Sequence, residues 1–467
     1  MEIFLKLFYV RGCKILEGTI GGIFLDLLQL ERSTTKKVTL RLIPFLFLCF
    51  TISILDRVNI GFAALQMNQD LGFSNAVFGF GAGIFFFGYF LLEVPGSAIM
   101  TKIGPRKWIS RIMVTWAIIA IFMAFVKTPM QFYTARFLLG VAEASFYPCM
   151  VFYLSGFYQT KHHAKAIAGF MVAIPGANAL GSPLSTFLLG VHWLGLEGWQ
   201  WMFIMEAIPA VILGIVSYFY LDDKIEAVKW LNKEEKKWLI DITTKEKLQK
   251  QEVKHYTFLQ ALKDRDVLIL SIGYFCWMIG YYGIVMFLPT ISKGLTEATS
   301  LSTQSMGWVL GLMYVCAMVT MILVGNHSDK KNERRWHVAV CLTTSAIAMI
   351  ISSLVANTSI VLSFVFLTIA LCGAFGAYSP FWSIPPSFLT EAAAAGAIAL
   401  INSIGNLGGF FGPYIVGYIK DLTGSFNASM IFLGVSLVIG SCIIVFLVKQ
   451  SGKVLKTNVE NKLEKSS

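Results

Sequence analysis

Twelve stretches of mostly apolar residues, each about 20 or more long, leave this chain few ways to fold. They lie near residues 40–66, 76–100, 108–126, 131–157, 164–190, 201–221, 265–290, 304–326, 337–355, 360–386, 395–419 and 428–449. A segment in lipid must satisfy its own backbone hydrogen bonds, so it forms a helix or part of a closed barrel. Strict twofold alternation of apolar and polar residues is absent, which argues against a barrel. Only 14% of the 467 residues are charged and 56% are hydrophobic, whereas soluble domains run at about a quarter charged. The expectation is an all-α membrane protein with 12 transmembrane helices. Stretches much longer than the hydrocarbon is thick imply tilted helices or projecting ends.

The net charge of +11 is sorted by side. Twelve crossings put both termini on one side, and the loops there hold most of the lysine and arginine. They include Lys102, Arg106, Lys107 and Arg111, Lys161 and Lys165, eleven residues between Lys224 and Arg265, and Lys330, Lys331, Arg334 and Arg335. The opposite loops hold Lys127, Lys293 and Lys420. This asymmetry places both ends in the cytoplasm and makes anionic lipid, rather than nucleic acid, the partner of the basic loops. Eight cysteines and six histidines form no ligand spacing, so no metal or redox cofactor is expected. His162-His163 reads as a solvated face. The glycine-rich runs lack the strand-loop-helix context of a phosphate cradle, which argues against nucleotide-driven work.

Residues 1–36 form an N-terminal extension whose apolar runs are too interrupted by Lys6, Arg11, Lys14, Glu17 and Asp26 to span. They show no clear signal-peptide pattern; an interfacial amphipathic helix is one reading. Bundles of six helices are expected over 37–221 and 265–449, joined by a cytoplasmic linker at 222–264 and followed by a tail at 450–467. Trp230, Leu231, Trp238 and Leu239 recur at helical spacing in the linker, so it is expected to be partly helical. Six-plus-six organisation implies two halves that rock about a central site.

GNHSDKKNERRW, with Gly325, Asp329, Arg334 and Arg335, resembles the loop signature of the major facilitator superfamily. The matching loop between spans two and three, GSAIMTKIGPRKW, lacks the aspartate. In such a loop an acidic side chain can cap a helix and pair with arginine across the seam between halves; both loops also satisfy the simpler reading of basic cytoplasmic turns. LDRVNIGFAALQMNQDLGFS, GAGIFFFGYFLLEVP, RFLLGVAEASFYP, GWQWMFIMEAIPAVILG and ALINSIGNLGGFFGPYIVG together resemble the anion:cation symporter family, particularly its tartrate and phthalate carrier-like members. The resemblance runs from about residue 37 to 449. It implies the major facilitator fold, no enzymatic activity, and proton-coupled import of a small organic anion across a bacterial inner membrane. A monomer is expected.

Ionisable residues at bilayer depth are costly, about 2.5–3.5 kcal/mol each on insertion scales, and mark functional sites. Asp56 and Arg57 lie in span one; Arg136 and Glu143 lie about 8 and 18 Å into span four at 1.5 Å per residue. Seven residues apart, these last two share a helix face. Asp56 is expected to pair with Arg136, leaving Arg57 to point into a cavity and grip a carboxylate through its planar fork. The alternative for Arg57 is a structural ion pair with Asp56 or Glu143. Glu143 is the expected proton carrier, because a carboxyl beside the substrate arginine can link proton and anion binding; a helix-packing role is its alternative. The family resemblance implies substrate contacts at Tyr89, Trp382 and Asn402. Ser379 and Tyr282 are further candidates, with Ser383, Asn406 and Tyr281 nearby in sequence. Helix packing competes for the aromatics and interhelical hydrogen bonding for Asn402. An exchanger or facilitator of the same fold, or a non-transporting anion receptor, remains open from the sequence.

Overall fold

The computed structural model describes residues 14–159, 169–251, 264–296, 301–385 and 391–447. The expectations for residues 1–13, His162-His163 and the tail from 450 lie outside them. The first half contains α1 (Lys14–Asp70), α2 (Asn75–Ile103), α3 (Pro105–Met123), α4 (Pro129–Glu143), α5 (Phe146–Phe157), α6 (Ala173–Leu188) and α7 (Gly198–Tyr220). α8 (Lys233–Gln251) follows in the linker. The second half contains α9 (Arg265–Thr296), α10 (Thr303–Lys331), α11 (Arg335–Val355), α12 (Ile360–Gly376), α13 (Tyr378–Trp382), α14 (Glu391–Asn406), α15 (Gly408–Thr423) and α16 (Asn427–Cys442). Among the described residues, nine stretches are long and apolar enough to cross a membrane on that basis alone. With α3, α6 and the pair α14–α15, they make the twelve passes of two six-helix bundles.

From Lys14 the N-terminal extension is helical and runs without a break into span one. α1 is 57 residues long, roughly 85 Å at 1.5 Å per residue, against a hydrocarbon layer of about 30 Å. The charged residues of its first part keep that part out of the hydrocarbon but suit a helix, since Lys, Glu and Arg are good helix formers. The projecting part is tethered to α8, where Lys37 Nζ lies 2.8 Å from Glu235 Oε1 and Ser33 Oγ donates to the same carboxylate. Glu235 also completes a capping box: its amide donates to Asn232 Oδ1 at 2.7 Å and its carboxylate accepts from the Asn232 amide at 3.1 Å, so two otherwise unpaired N–H groups are satisfied. Burial pushes the Glu235 carboxyl up, but hydrogen bonds from Lys37 and the Asn232 amide outweigh it and hold the carboxyl below its ordinary value. Its contribution to stability is therefore complete above the ordinary glutamate range and lost as pH falls through the depressed native value. Hydrogen exchange, expressed as protection relative to the intrinsic rate at each pH, should find the first turn of α8 protected at pH 7 and unprotected near pH 3, with Glu235→Gln unprotected at both.

Among the described residues, several passes are interrupted along their length. Span four stops at Glu143, Ala144 leaves the helical region at φ −51° and ψ 139°, and Ser145 takes a left-handed conformation at φ 68° before α5 begins. A non-glycine residue there costs on the order of 1–2 kcal/mol. Trp108 Nε1 donates to Ser145 Oγ at 3.0 Å, which helps hold the turn. Span ten breaks at Ala377 and span eleven at Leu407. Irregular backbone within a membrane persists where protein or water surrounds it rather than lipid.

Contacts joining the halves gather in the middle and on the side away from the termini. α2 lies so close to α15 that a Cβ on Gly83 would sit 2.5 Å from the Phe410 carbonyl oxygen. Asp421 at the end of α15 accepts hydrogen bonds from the Asn75 and Ala76 amides at 3.1 and 2.7 Å. A carboxylate at a helix N-terminus satisfies free N–H groups and meets the positive end of the helix dipole; this one does so across the seam. Lys293 Nζ of α9 donates to the Leu65 carbonyl of α1 at 3.0 Å. α10 meets α6 where Gly307 abuts Thr186 and Gly311 abuts Ala179.

Candidate functional site

The buried charges converge within the first half. Arg57 Nη2 donates to Glu143 Oε1 in an ion pair whose side chains are 12% and 1% exposed. The guanidinium carbon lies 5.4 Å from the Phe85 ring centroid and 5.3 Å from that of Tyr89, within cation–π range. The Tyr282 phenol reaches in from α9 beside the same guanidinium, and its ring packs 4.2 Å from Phe86. One cation is thus held by a carboxylate and aromatic side chains from both halves.

The expected Asp56–Arg136 pair does not form. Arg136, fully buried, donates through Nε to the Gly81 carbonyl at 3.3 Å and through Nη2 to that of Ala82 at 3.4 Å. It lies 5.0 Å from the centroid of Phe85. Gly140 permits this: a Cβ there would be 2.0 Å from the Phe85 carbonyl oxygen, so α2 and α4 touch backbone to backbone. That approach turns Arg136 onto α2 and away from α1. Among the described residues, none donates a hydrogen bond to either oxygen of buried Asp56, although Glu143, Arg136 and Glu206 all lie within electrostatic reach. Arg57, expected to point free into a cavity, is instead paired with Glu143, the arrangement left open as its alternative.

The other candidates divide. Tyr89 and Tyr282 border Arg57. Asn402 Nδ2 donates at 2.6 Å to Glu93 Oε1 on α2. Trp382 packs edge-on against Tyr274, 5.2 Å between centroids, within an aromatic cluster of the second half that includes Trp277, Tyr378 and Phe381. Ser379 is not at the centre: its Oγ lies 2.7 Å from where a Cβ of Gly325 would be, so this pair is a close contact of α10 with α13. The loop signature also acts locally. Arg334 Nη1 reaches Asp329 Oδ1 at 2.6 Å and Ser328 Oγ at 2.9 Å, while Arg335 Nε donates to the Ile444 carbonyl at 3.3 Å. The expected cap and cross-seam pairing by Asp329 are therefore not what forms. Glu333 caps α11, accepting from the Trp336 and His337 amides; burial raises that carboxyl, and these bonds more than reverse the effect.

Glu93 and Glu206 are absent from the expected site. Glu93 accepts from Asn402 and, at 2.9 Å, from Ser403 Oγ; Glu206 on α7 accepts from Ser185 Oγ at 2.7 Å. Both sit in apolar runs, LLEVP and MEAIP, so the rule that marked Asp56 would have found them. The turn at Ser145 carries no comparable signal. Among the described residues, no group of three or more His, Cys, Asp or Glu side chains could hold a metal ion.

The chain matches known proteins over nearly its whole length. The description "Major Facilitator Superfamily" attaches to the family whose pattern matches residues 46–413 and, in a second match, 295–466. A protein of Agrobacterium vitis named "Putative tartrate transporter" is 44% identical over 93% of this chain and 95% of its own. A protein of Pseudomonas putida named "Putative metabolite transport protein NicT" is 37% identical over 88% of this chain and 93% of its own. Among solved structures, the xylose transporter XylE of E. coli superposes with a TM-score of 0.69 at 16% identity, covering 88% of this chain and 99% of that one. The chain is a multi-pass membrane transporter rather than an enzyme, and it belongs to the Major Facilitator Superfamily, of which the anion:cation symporter family it resembles is a branch.

Proposed function

We propose that this transporter imports a small organic carboxylate together with protons by alternating access, working as a monomer in a bacterial inner membrane with both termini in the cytoplasm. The observation that carries this reading is a charge imbalance. Four buried carboxyls (Asp56, Glu93, Glu143 and Glu206) share the first half with two guanidiniums, Arg57 and Arg136. Fully ionised, the set is two charges negative before any anion arrives. Burying uncompensated charge is costly, so an anion entering here must bring protons with it. The relatives named for tartrate and metabolite transport support an organic substrate.

In this reading Arg57 grips the carboxylate and Glu143 exchanges the proton. While ionised, Glu143 occupies Arg57; a proton on Glu143 releases the guanidinium for substrate. Each ligand thereby favours the other, the thermodynamic requirement for symport. Asp56 and Arg136 set the surrounding field, and Tyr89, Tyr282 and Trp382 provide an aromatic surround. The bundles over 37–221 and 265–449 move as the rocking bodies, with 222–264 linking them. Closure on the side away from the termini corresponds to a state facing the cytoplasm.

Reconstituted vesicles test the proposal. With an inward proton gradient, labelled tartrate should accumulate above its external concentration, and a protonophore should reduce accumulation to equilibration. Uptake that a protonophore leaves unchanged would reject proton coupling; saturable binding without uptake would reject import itself.

A further inference from the structure

Glu93 is an ionisable side chain 4% exposed, roughly 27 Å along α2 from Asn75 at 1.5 Å per residue. Each of its carboxylate oxygens accepts a hydrogen bond from the opposite half: Oε1 from Asn402 Nδ2 at 2.6 Å and Oε2 from Ser403 Oγ at 2.9 Å. Two consecutive residues of α14 thus build a small carboxylate site, and the carboxylate in it comes from the chain itself. Both donors are neutral. Hydrogen bonds to a charged group contribute about 1.5–3 kcal/mol net, and among the described residues no cation adjoins Glu93 closely enough to form an ion pair with it. Arg57 lies within electrostatic reach, as do Tyr89, one turn earlier on α2, and Tyr274 on α9.

Glu143 on Arg57 and Glu93 on Asn402–Ser403 are parallel arrangements, an internal carboxylate on a donor set in each case. One donor set belongs to the first half and the other to the second. We propose that Glu93 is a tethered stand-in for the second carboxylate of a dicarboxylate substrate, which displaces it from Asn402 and Ser403. This deepens the carboxylate reading of Arg57 and rests on it. A dicarboxylate engages Arg57 with one end and the Asn402–Ser403 pair with the other, bridging the halves that must close around it. A monocarboxylate of equal length leaves Glu93 in place and gains nothing from the second half.

Succinate and butyrate, with equal carbon counts, are the probes, and calorimetric binding to the purified full-length chain is the readout. The ratio of their affinities cancels any effect a substitution has on the balance of conformations. Glu93→Ala removes the competitor, so the preference for succinate should rise about tenfold; Asn402→Ala with Ser403→Ala removes the donors, so it should fall about tenfold, each being the scale of one or two hydrogen bonds. Glu93→Gln, which keeps an acceptor without the charge, should shift the ratio in the same direction as Glu93→Ala and replaces it if the alanine variant does not fold. Both shifts are required. A ratio within twofold of the wild type in either test, with both acids still binding, overturns the proposal while sparing the carboxylate reading. A wild-type chain that binds neither acid overturns the proposal, and one that does not bind tartrate either overturns the carboxylate reading as well.

Discussion

Arg57→Lys should weaken carboxylate binding by about 100-fold and reduce uptake in reconstituted vesicles close to background. Lysine keeps the positive charge but presents a rotating point donor in place of a planar fork, so two parallel hydrogen bonds become one. Loss of one charge-assisted bond accounts for about 1.5–3 kcal/mol, and every 1.4 kcal/mol is a factor of ten in affinity. Arg57→Ala is a harsher test with a confounding effect, because it leaves Glu143, 1% exposed, without its ion-pair partner. Removing one member of a buried pair costs roughly 3–5 kcal/mol, enough to lower thermal stability. Arg57→Ala combined with Glu143→Ala removes both charges, and its stability should recover while binding does not. That recovery separates a folding defect from a lost binding group, since residues in contact give non-additive effects. Unchanged affinity in Arg57→Lys, measured by calorimetry, would assign Arg57 to structure alone.

What the sequence could reveal follows from how much each feature depends on neighbouring helices. The twelve passes were legible because hydrocarbon imposes a length and composition on every crossing segment independently of its partners. The importance of Asp56, Arg57, Arg136 and Glu143 was legible for a similar reason: desolvation is a property of depth. Their pairing was not. Asp56 and Arg57 are adjacent, so their side chains leave α1 about 100° apart, and which one meets Glu143 depends on the rotation of α1 against α4. The position of Arg136 depends on Gly140, whose missing Cβ lets α2 approach until its carbonyls take over the guanidinium. Resemblance between sequences directed attention to Asn402 but not to its partner. Glu93 lies within a quoted family segment, LLEVP, yet only the packing of α2 against α14 shows what its carboxylate touches. The same limit applies to Asp329, whose contact with Arg334 depends on the turn at Asn332, a residue at φ 49°.

Glu143→Gln should abolish uphill accumulation and leave counterflow exchange largely intact. Glutamine has nearly the same shape and keeps a carbonyl acceptor for Arg57 Nη2, so the geometry around the guanidinium survives, while the side chain can neither carry nor release a proton. In the wild type, ionised Glu143 competes with the substrate for Arg57, and protonation ends the competition. Affinity should therefore rise as pH falls. In the glutamine variant the competing charge is absent at every pH, so affinity should be nearly flat across the same range. A symporter that loses this linkage still rocks when loaded on both sides, and labelled substrate continues to exchange for unlabelled. Net movement against a gradient needs the proton and stops; the accumulation ratio should fall to one. Asp56, with no hydrogen bond from the described residues on either oxygen, makes the comparison decisive. Should Glu143→Gln retain uphill uptake and Asp56→Asn lose it, the proton resides on span one, and the ion pair between Arg57 and Glu143 becomes a structural clamp beside the path.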